Sequence, residues 1–230
     1  MQRFEPLSRF LLVLTLLAAQ LSAFGVVQAQ PADPDPARFA AAIADFAAWD
    51  RKNSVPENAI VFVGSSSIRF WDTAEAFPDQ RVINRGFGGS HISDINFFYE
   101  QVVAPYDPAA VVFYAGDNDI GAGKEPARVL ADFRAFAARL RADFPQAELI
   151  YLSIKPSKLR WAQWPQMREA NRMIAEFAAG QPGMRFVDVA TVLLDDAGEP
   201  KDVFVEDGLH LQPEGYRLWV EVLAPVLDEL

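Results

Sequence analysis

The sequence has no cysteine among its 230 residues. Disulfides, thiolate zinc sites and a cysteine nucleophile are thereby excluded. Histidine is nearly absent too: only His91 and His210 are available to any chemistry that needs an imidazole. Basic residues are outnumbered, 21 Lys and Arg against 31 Asp and Glu, for a formal charge of −10. That balance argues against nucleic acid as a partner, because phosphate binding needs a basic surface. There is no internal repeat and no low-complexity tract. What remains is a chain that is 51% apolar, enough for one sizeable domain with a real core.

The first residues read as an export signal. Arg3 and Arg9 precede an apolar run from Phe10 to about Val27, and Val27-Gln28-Ala29 offers small residues for cleavage after Ala29. Left uncleaved, the run is near the lower limit for a membrane anchor. Gln20, Ser22 and Gly25 inside it favour cleavage, which would leave no stable membrane insertion. The expected organisation is a signal peptide over 1–29, an extended linker "QPADPDP" over 30–36 and a domain over 37–230. Export without cysteine suits a bacterial periplasm or secretion.

From Pro36 onward, helical and strand patterns alternate. The spacing of Phe39, Ile43 and Phe46 predicts a helix from Pro36 to about Arg51. Short apolar runs predict strands at 59–63, 81–84, 109–114, 148–154 and 184–189. Helices are expected from Ser90, as its cap, to about Val103, and over about 125–144, 164–179 and 213–230. Five strands separated by helices give an α/β domain whose parallel sheet is covered on both faces. Ligands of such sheets sit beyond the carboxyl ends of the strands.

The residues that follow the strands carry chemistry. Gly64-Ser65-Ser66-Ser67 follows the first, Gly88 and Gly89 the second, and "GDND" (116–119) the third. "SIKPSKLRW" follows the fourth, and beyond the fifth lies "EDGLH" with Asp207 and His210. A serine hydroxyl becomes a nucleophile when a base takes its proton, and His210 can be that base. Asp207, three residues earlier, can fix the imidazole tautomer and stabilise the imidazolium. The Gly89 N–H, the Asn118 side-chain amide and the serine's own N–H can donate to an oxyanion. Such acyl transfer needs neither metal nor cofactor.

Four blocks, "VFVGSSSIRFW", "NRGFGGS", "GDND" and "DGLHL", resemble in order those of the SGNH hydrolases, also called the GDSL esterases and lipases. The resemblance runs from about Ile60 to Tyr216. It implies a flavodoxin-like three-layer α/β/α fold with a five-stranded parallel sheet of order 2-1-3-4-5. It also implies Ser66 as nucleophile, Asp207 and His210 as the acid–base pair, and Ser66, Gly89 and Asn118 as oxyanion donors. In one respect the chain departs from the pattern: Ser65 stands where the family usually has aspartate. Nor is the first block the G-x-S-x-G of α/β-hydrolases, since Ile68 replaces the last glycine.

"SHISD" brings Ser90, His91 and Asp94 together as a second triad by composition. Adjacent helical residues do not face each other, so His91 is assigned a structural or substrate-lining role. Arg69, Trp71, Lys155, Arg160, Trp161 and Trp164 are candidates to line a substrate groove, with packing as the alternative for the tryptophans. The expected activity is hydrolysis of short acyl esters, acetyl above all, on a small molecule or a carbohydrate. Lysophospholipase, thioesterase and acyltransferase activities fit the same family. A metal-dependent phosphoesterase using Asp117, Asp119, Asp207 and His210 is a competing class, and a non-catalytic binding domain another.

Overall fold

β1 (Ile60–Gly64), β2 (Val82–Gly86), β3 (Ala110–Tyr114), β4 (Glu148–Leu152) and β5 (Met184–Val187) form one sheet in the order β2-β1-β3-β4-β5. Every pairing is parallel. This is the expected topology. The computed structural model describes Met1 and residues 31–230, and residues 31–230 form one compact unit. The expected export signal lies outside the described residues apart from Met1.

Side chains of a strand alternate between faces, and here both faces are apolar. Val63, Val111, Phe113, Leu149 and Tyr151 point into one core, shared with helices Pro126–Asp143 and Trp164–Ala179. Ile60, Phe62, Val112, Tyr114, Ile150 and Leu152 point into the other, closed by helix Pro213–Leu227 through Trp219 and Leu223. Helix Pro126–Asp143 shows how the sequence makes this happen. Proline stands at its first turn, where a missing N–H costs nothing, and Val129, Phe133, Phe136 and Leu140 recur at the spacing that buries one face.

Several boundaries differ from expectation for local reasons. The first helix begins as a 3-10 turn, Pro36–Phe39, before becoming α-helical over Ala40–Asp50. The helix expected from Ser90 to Val103 is two, Ile92–Phe97 and Tyr99–Val102, and its cap is His91 rather than Ser90. Asp94 selects that start by accepting from the His91 N–H at 2.8 Å, while the Ser90 carbonyl is taken by Asn118. β5 stops at Val187 because the Asp188 carboxylate accepts from the Ala190 and Thr191 N–H groups and turns the chain.

Part of the segment read as a linker is held against the domain. Asp33 pairs with Lys124 and with Arg128, each at 2.6 Å, and accepts from the Ser93 hydroxyl. Asp35 caps the 3-10 turn through the Ala37 N–H.

Candidate active site

β1 ends at Gly64, whose φ of 155° and closeness to β3 exclude a side chain: a Cβ there would lie 2.0 Å from the Tyr114 carbonyl oxygen. The Ser65 N–H then donates to that same carbonyl, and the chain turns into the short helix Ser66–Arg69. At Gly86 a Cβ would lie 2.4 Å from the Arg69 nitrogen, so this glycine lets the short helix rest on the end of β2. Ser66 opens that helix, with its hydroxyl at the carboxyl edge of the sheet.

The loop after β5 brings the imidazole to it. Asp207 Oδ1 accepts from the Leu209 N–H at 2.8 Å and the His210 N–H at 2.9 Å, closing a tight turn through Gly208 at φ 66°. The other carboxylate oxygen lies 2.5 Å from His210 Nδ1, and His210 Nε2 lies 3.0 Å from Ser66 Oγ. With the proton on Nδ1 facing the carboxylate, Nε2 carries the lone pair that faces the hydroxyl. The three hydrogen bonds from His210 and Leu209, the His210 backbone N–H foremost, hold the Asp207 carboxyl down to about 2. Phe70, 54% exposed, sets its ring edge-on to the imidazole at 5.0 Å and 87°.

Gly89 and Asn118 lie in the loops beyond β2 and β3. Gly89 has φ 83° and open space where a Cβ would stand. Among the described residues, the N–H groups of Ser66 and Gly89 are not engaged by a backbone carbonyl. Asn118 donates from Nδ2 to the Ser90 carbonyl at 3.1 Å and accepts at Oδ1 from Arg160 at 2.9 Å. Its sequence neighbours are buried acids. Asp117 faces Lys155 at 3.4 Å and Arg160 at 3.3 Å. Burial alone would push the Asp117 carboxyl up, but the Lys155 and Arg160 charges hold it below its ordinary value. Burial pulls the Lys155 amine down, and Asp117 opposes that. Asp119, pushed up to about 6 by burial, pairs with Lys124 at 2.8 Å.

The other sequence-derived candidates separate. Trp71 is mainly a core residue, stacked on Tyr216 and packed against Phe62 and Trp219, and its remaining surface borders a cavity along β2. Trp164 is likewise buried, in the opposite core, with Trp161 stacked beside it and partly exposed. Lys155 is 1% exposed and turned to Asp117, because an unpaired buried ammonium would be costly. Arg160 reaches Asn118 and Asp117 rather than an open groove. Arg69 stays at the surface, and its guanidinium lies over Gly88, where a Cβ would meet Nη1 at 3.3 Å. His91 is buried, with Nδ1 3.8 Å from Asp119, and takes no part in a serine–histidine contact; burial lowers its pKa. Of the four groups of the metal reading, Asp117 and Asp119 pair with cations while Asp207 pairs with His210, and no cluster of three metal-ligating side chains occurs among the described residues.

Two cavities meet at Phe70. One of about 440 Å³ is lined by Phe70, Val205, His210, Leu211, Pro213 and Tyr216. A larger one, about 700 Å³, runs along the outer edge of β2 between Trp49, Phe70 and Asp72 and does not include Ser66 or His210. Phe70 borders both. Sequence reasoning missed it, since nothing in an isolated phenylalanine marks it as a neighbour of a histidine 140 residues on.

Residues 67–218 match the GDSL-like lipase/acylhydrolase family. The chain belongs to this family. It is an ester hydrolase, as its relatives are named. The isoamyl acetate-hydrolyzing esterase 1 homolog of Bos taurus is 25% identical over 174 residues, covering 64% of this chain and 69% of the relative. A solved structure described as a platelet activating factor from Streptococcus pneumonia superposes with a TM-score of 0.75 at 22% identity, over 94% of this chain and 99% of that one. A variant of an acetyl-xylooligosaccharide esterase from Geobacillus gives a TM-score of 0.62 at 14% identity, over 75% and 95%. At such identities the structural likeness speaks to the GDSL fold alone.

Proposed function

We propose that this GDSL hydrolase is an exported serine esterase that cleaves short acyl esters, acetyl esters first, with Ser66, His210 and Asp207 as its triad. The observation that carries the reading is the unbroken chain from Ser66 Oγ to His210 Nε2, and from Nδ1 to the Asp207 carboxylate.

In this reading Ser66 Oγ attacks the ester carbonyl carbon while its proton passes to His210 Nε2. The carbonyl oxygen takes up the negative charge and is met by the Ser66 and Gly89 N–H groups and by Asn118 Nδ2. Collapse of the tetrahedral intermediate expels the alcohol, which leaves with the proton from Nε2, and the acyl group stays on Ser66. Water repeats the sequence: Nε2 takes its proton, the new bond to carbon forms, and the carboxylic acid departs as Oγ recovers a proton. Asp207 remains ionised throughout and stabilises the imidazolium.

Acetyl specificity takes its support from the name of one relative, the isoamyl acetate-hydrolyzing esterase 1 homolog, and an acetyl-xylooligosaccharide esterase shares the fold. These differ in the alcohol. A carbohydrate alcohol fits the aromatic and polar groove along β2. An apolar alcohol is favoured by the cavity lined by Phe70, Val205, Leu211 and Pro213, which lies beside the imidazole that protonates the leaving group. Export rests on the pattern of residues 1–29.

A chain-length series of p-nitrophenyl esters, run beside isoamyl acetate and acetylated xylo-oligosaccharide, tests the reading. It expects kcat/KM to be greatest for acetate and to fall as the acyl chain lengthens. Preference for long acyl chains, or no ester turnover at all, rejects it. The two natural-type acetates rank the alcohols. Sequencing the N-terminus of the protein recovered outside the cytoplasm should begin at Gln30.

A further inference from the structure

Asn118 can serve an oxyanion only if its amide presents nitrogen and not oxygen. A primary amide is nearly symmetric in shape, so packing alone does not choose between the two orientations. Hydrogen-bond chemistry chooses here. Arg160 has donors only, and its Nη2 lies 2.9 Å from Asn118 Oδ1. The Ser90 carbonyl is an acceptor only and takes one hydrogen of Nδ2 at 3.1 Å. Oxygen is thus held toward Arg160, and the second Nδ2 hydrogen is left for a ligand.

Arg160 is itself held. Asp117 Oδ2 is 3.3 Å from Arg160 Nη1 and 3.4 Å from Lys155 Nζ, while Asp117 Oδ1 accepts the Asn118 backbone N–H at 2.9 Å. One carboxylate therefore grips the backbone of Asn118 directly and its side chain through Arg160. The guanidinium lies over Gly121, where a Cβ would be 3.0 Å from Nε, so the missing side chain leaves it room. The Arg160 N–H donates to Ser157 Oγ, tying the same residue to the loop after β4.

We propose that Arg160 is a positioning residue that fixes the Asn118 amide with Nδ2 toward the oxyanion, anchored for that task on Asp117, whose carboxylate is shared with Lys155. The proposal rests on the esterase reading, in which Asn118 is an oxyanion donor. Without Arg160 the amide is free to turn its oxygen toward the developing negative charge, which opposes the transition state and leaves substrate binding alone.

The test is a double-mutant cycle on p-nitrophenyl acetate, with side-chain amide NMR of Asn118 as a second readout. Arg160→Met is expected to lower kcat roughly 10- to 100-fold with KM unchanged, and Asn118→Ala roughly 10²- to 10³-fold, the scale of one lost oxyanion donor. Arg160→Met on top of Asn118→Ala is expected to cost nothing further. The Asn118 amide, ordered in the wild type, should become mobile in Arg160→Met. An unchanged kcat, a loss confined to KM, fully additive losses, or an amide equally ordered in both proteins overturns the proposal. Should Arg160→Met fail to fold, Arg160→Lys keeps the charge beside Asp117 without the fork that reaches both partners, and the same criteria apply. A wild type without ester turnover would reject the esterase reading, while the amide signal still decides whether Arg160 orients Asn118.

Discussion

His210 Nε2 stands 3.0 Å from Ser66 Oγ, joining residues 144 positions apart in the chain. Ser65 and Ser67 flank that hydroxyl in sequence, yet their side chains are buried and the His210 contact goes to Ser66. The three serines should therefore separate sharply. Ser66→Ala is expected to lose roughly 10³-fold or more of kcat, the scale for removing a nucleophile, and Ser67→Ala to keep activity within about ten-fold of wild type. Steady-state kinetics on p-nitrophenyl acetate decide it; an active Ser66→Ala beside an inactive Ser67→Ala would move the nucleophile by one residue.

The Asp207–His210 contact has a pH consequence. Asp207 is held down to about 2 from an ordinary 3.8, chiefly by the His210 backbone N–H. A carboxylate depressed on folding stabilises the fold above its unfolded value, and that contribution is lost as pH falls toward 2. Across the range where an esterase is assayed Asp207 thus stays charged, and its own carboxyl should add no limb to the pH profile of kcat/KM within that range. Asp207→Asn removes the charge that stabilises the imidazolium and is expected to cost roughly 10²- to 10⁴-fold in kcat. An Asp207 carboxyl signal that titrates within the assay range, followed by NMR, would overturn this.

Much of this was legible in the sequence because two simple periodicities write it there. Short apolar runs marked all five strands, and the rule that ligands sit beyond strand ends gathered Ser66, Gly89, Asn118, Asp207 and His210. The resemblance to the SGNH blocks then chose Ser66 among three serines, which local chemistry could not do. Side-chain direction was not legible. Lys155 and Arg160 follow a strand as a groove lining would, but charge pairing with Asp117 turned them inward, and Trp71 gives most of its ring to the core. The start of the helix after its cap His91 depends on Asp94 reaching back to a backbone N–H, a choice that hydrophobic spacing does not encode.

Trp71 provides a direct check on that distinction. Its ring is packed among Phe62, Phe77, Tyr216 and Trp219 and is 4% exposed. Trp71→Ala should cost about 3–5 kcal/mol of stability through the cavity it leaves. Trp71→Phe should cost less, because the indole N–H it removes is buried without a partner. Thermal melts should show the large drop for alanine, while KM for acetate esters in Trp71→Phe stays within about two-fold. A selective rise in KM at unchanged stability would return Trp71 to the substrate groove.

Ser65 occupies the position where the SGNH pattern usually carries aspartate, and its role here is set by backbone and not by hydroxyl. Its N–H donates to the Tyr114 carbonyl at 3.0 Å, and its carbonyl accepts from the Ile68 and Arg69 N–H groups at 3.1 Å each. These bonds fix the turn that presents Ser66, and they survive any side chain of similar size. The hydroxyl is fully buried and has no hydrogen-bond partner. Removing an unsatisfied buried polar group relieves its desolvation cost, so Ser65→Ala should leave the melting temperature unchanged or raised. Activity should remain within about three-fold of wild type, since the backbone bonds that aim Ser66 are untouched. A large kcat loss with an intact melting temperature would show instead that the hydroxyl acts on the neighbouring Ser66.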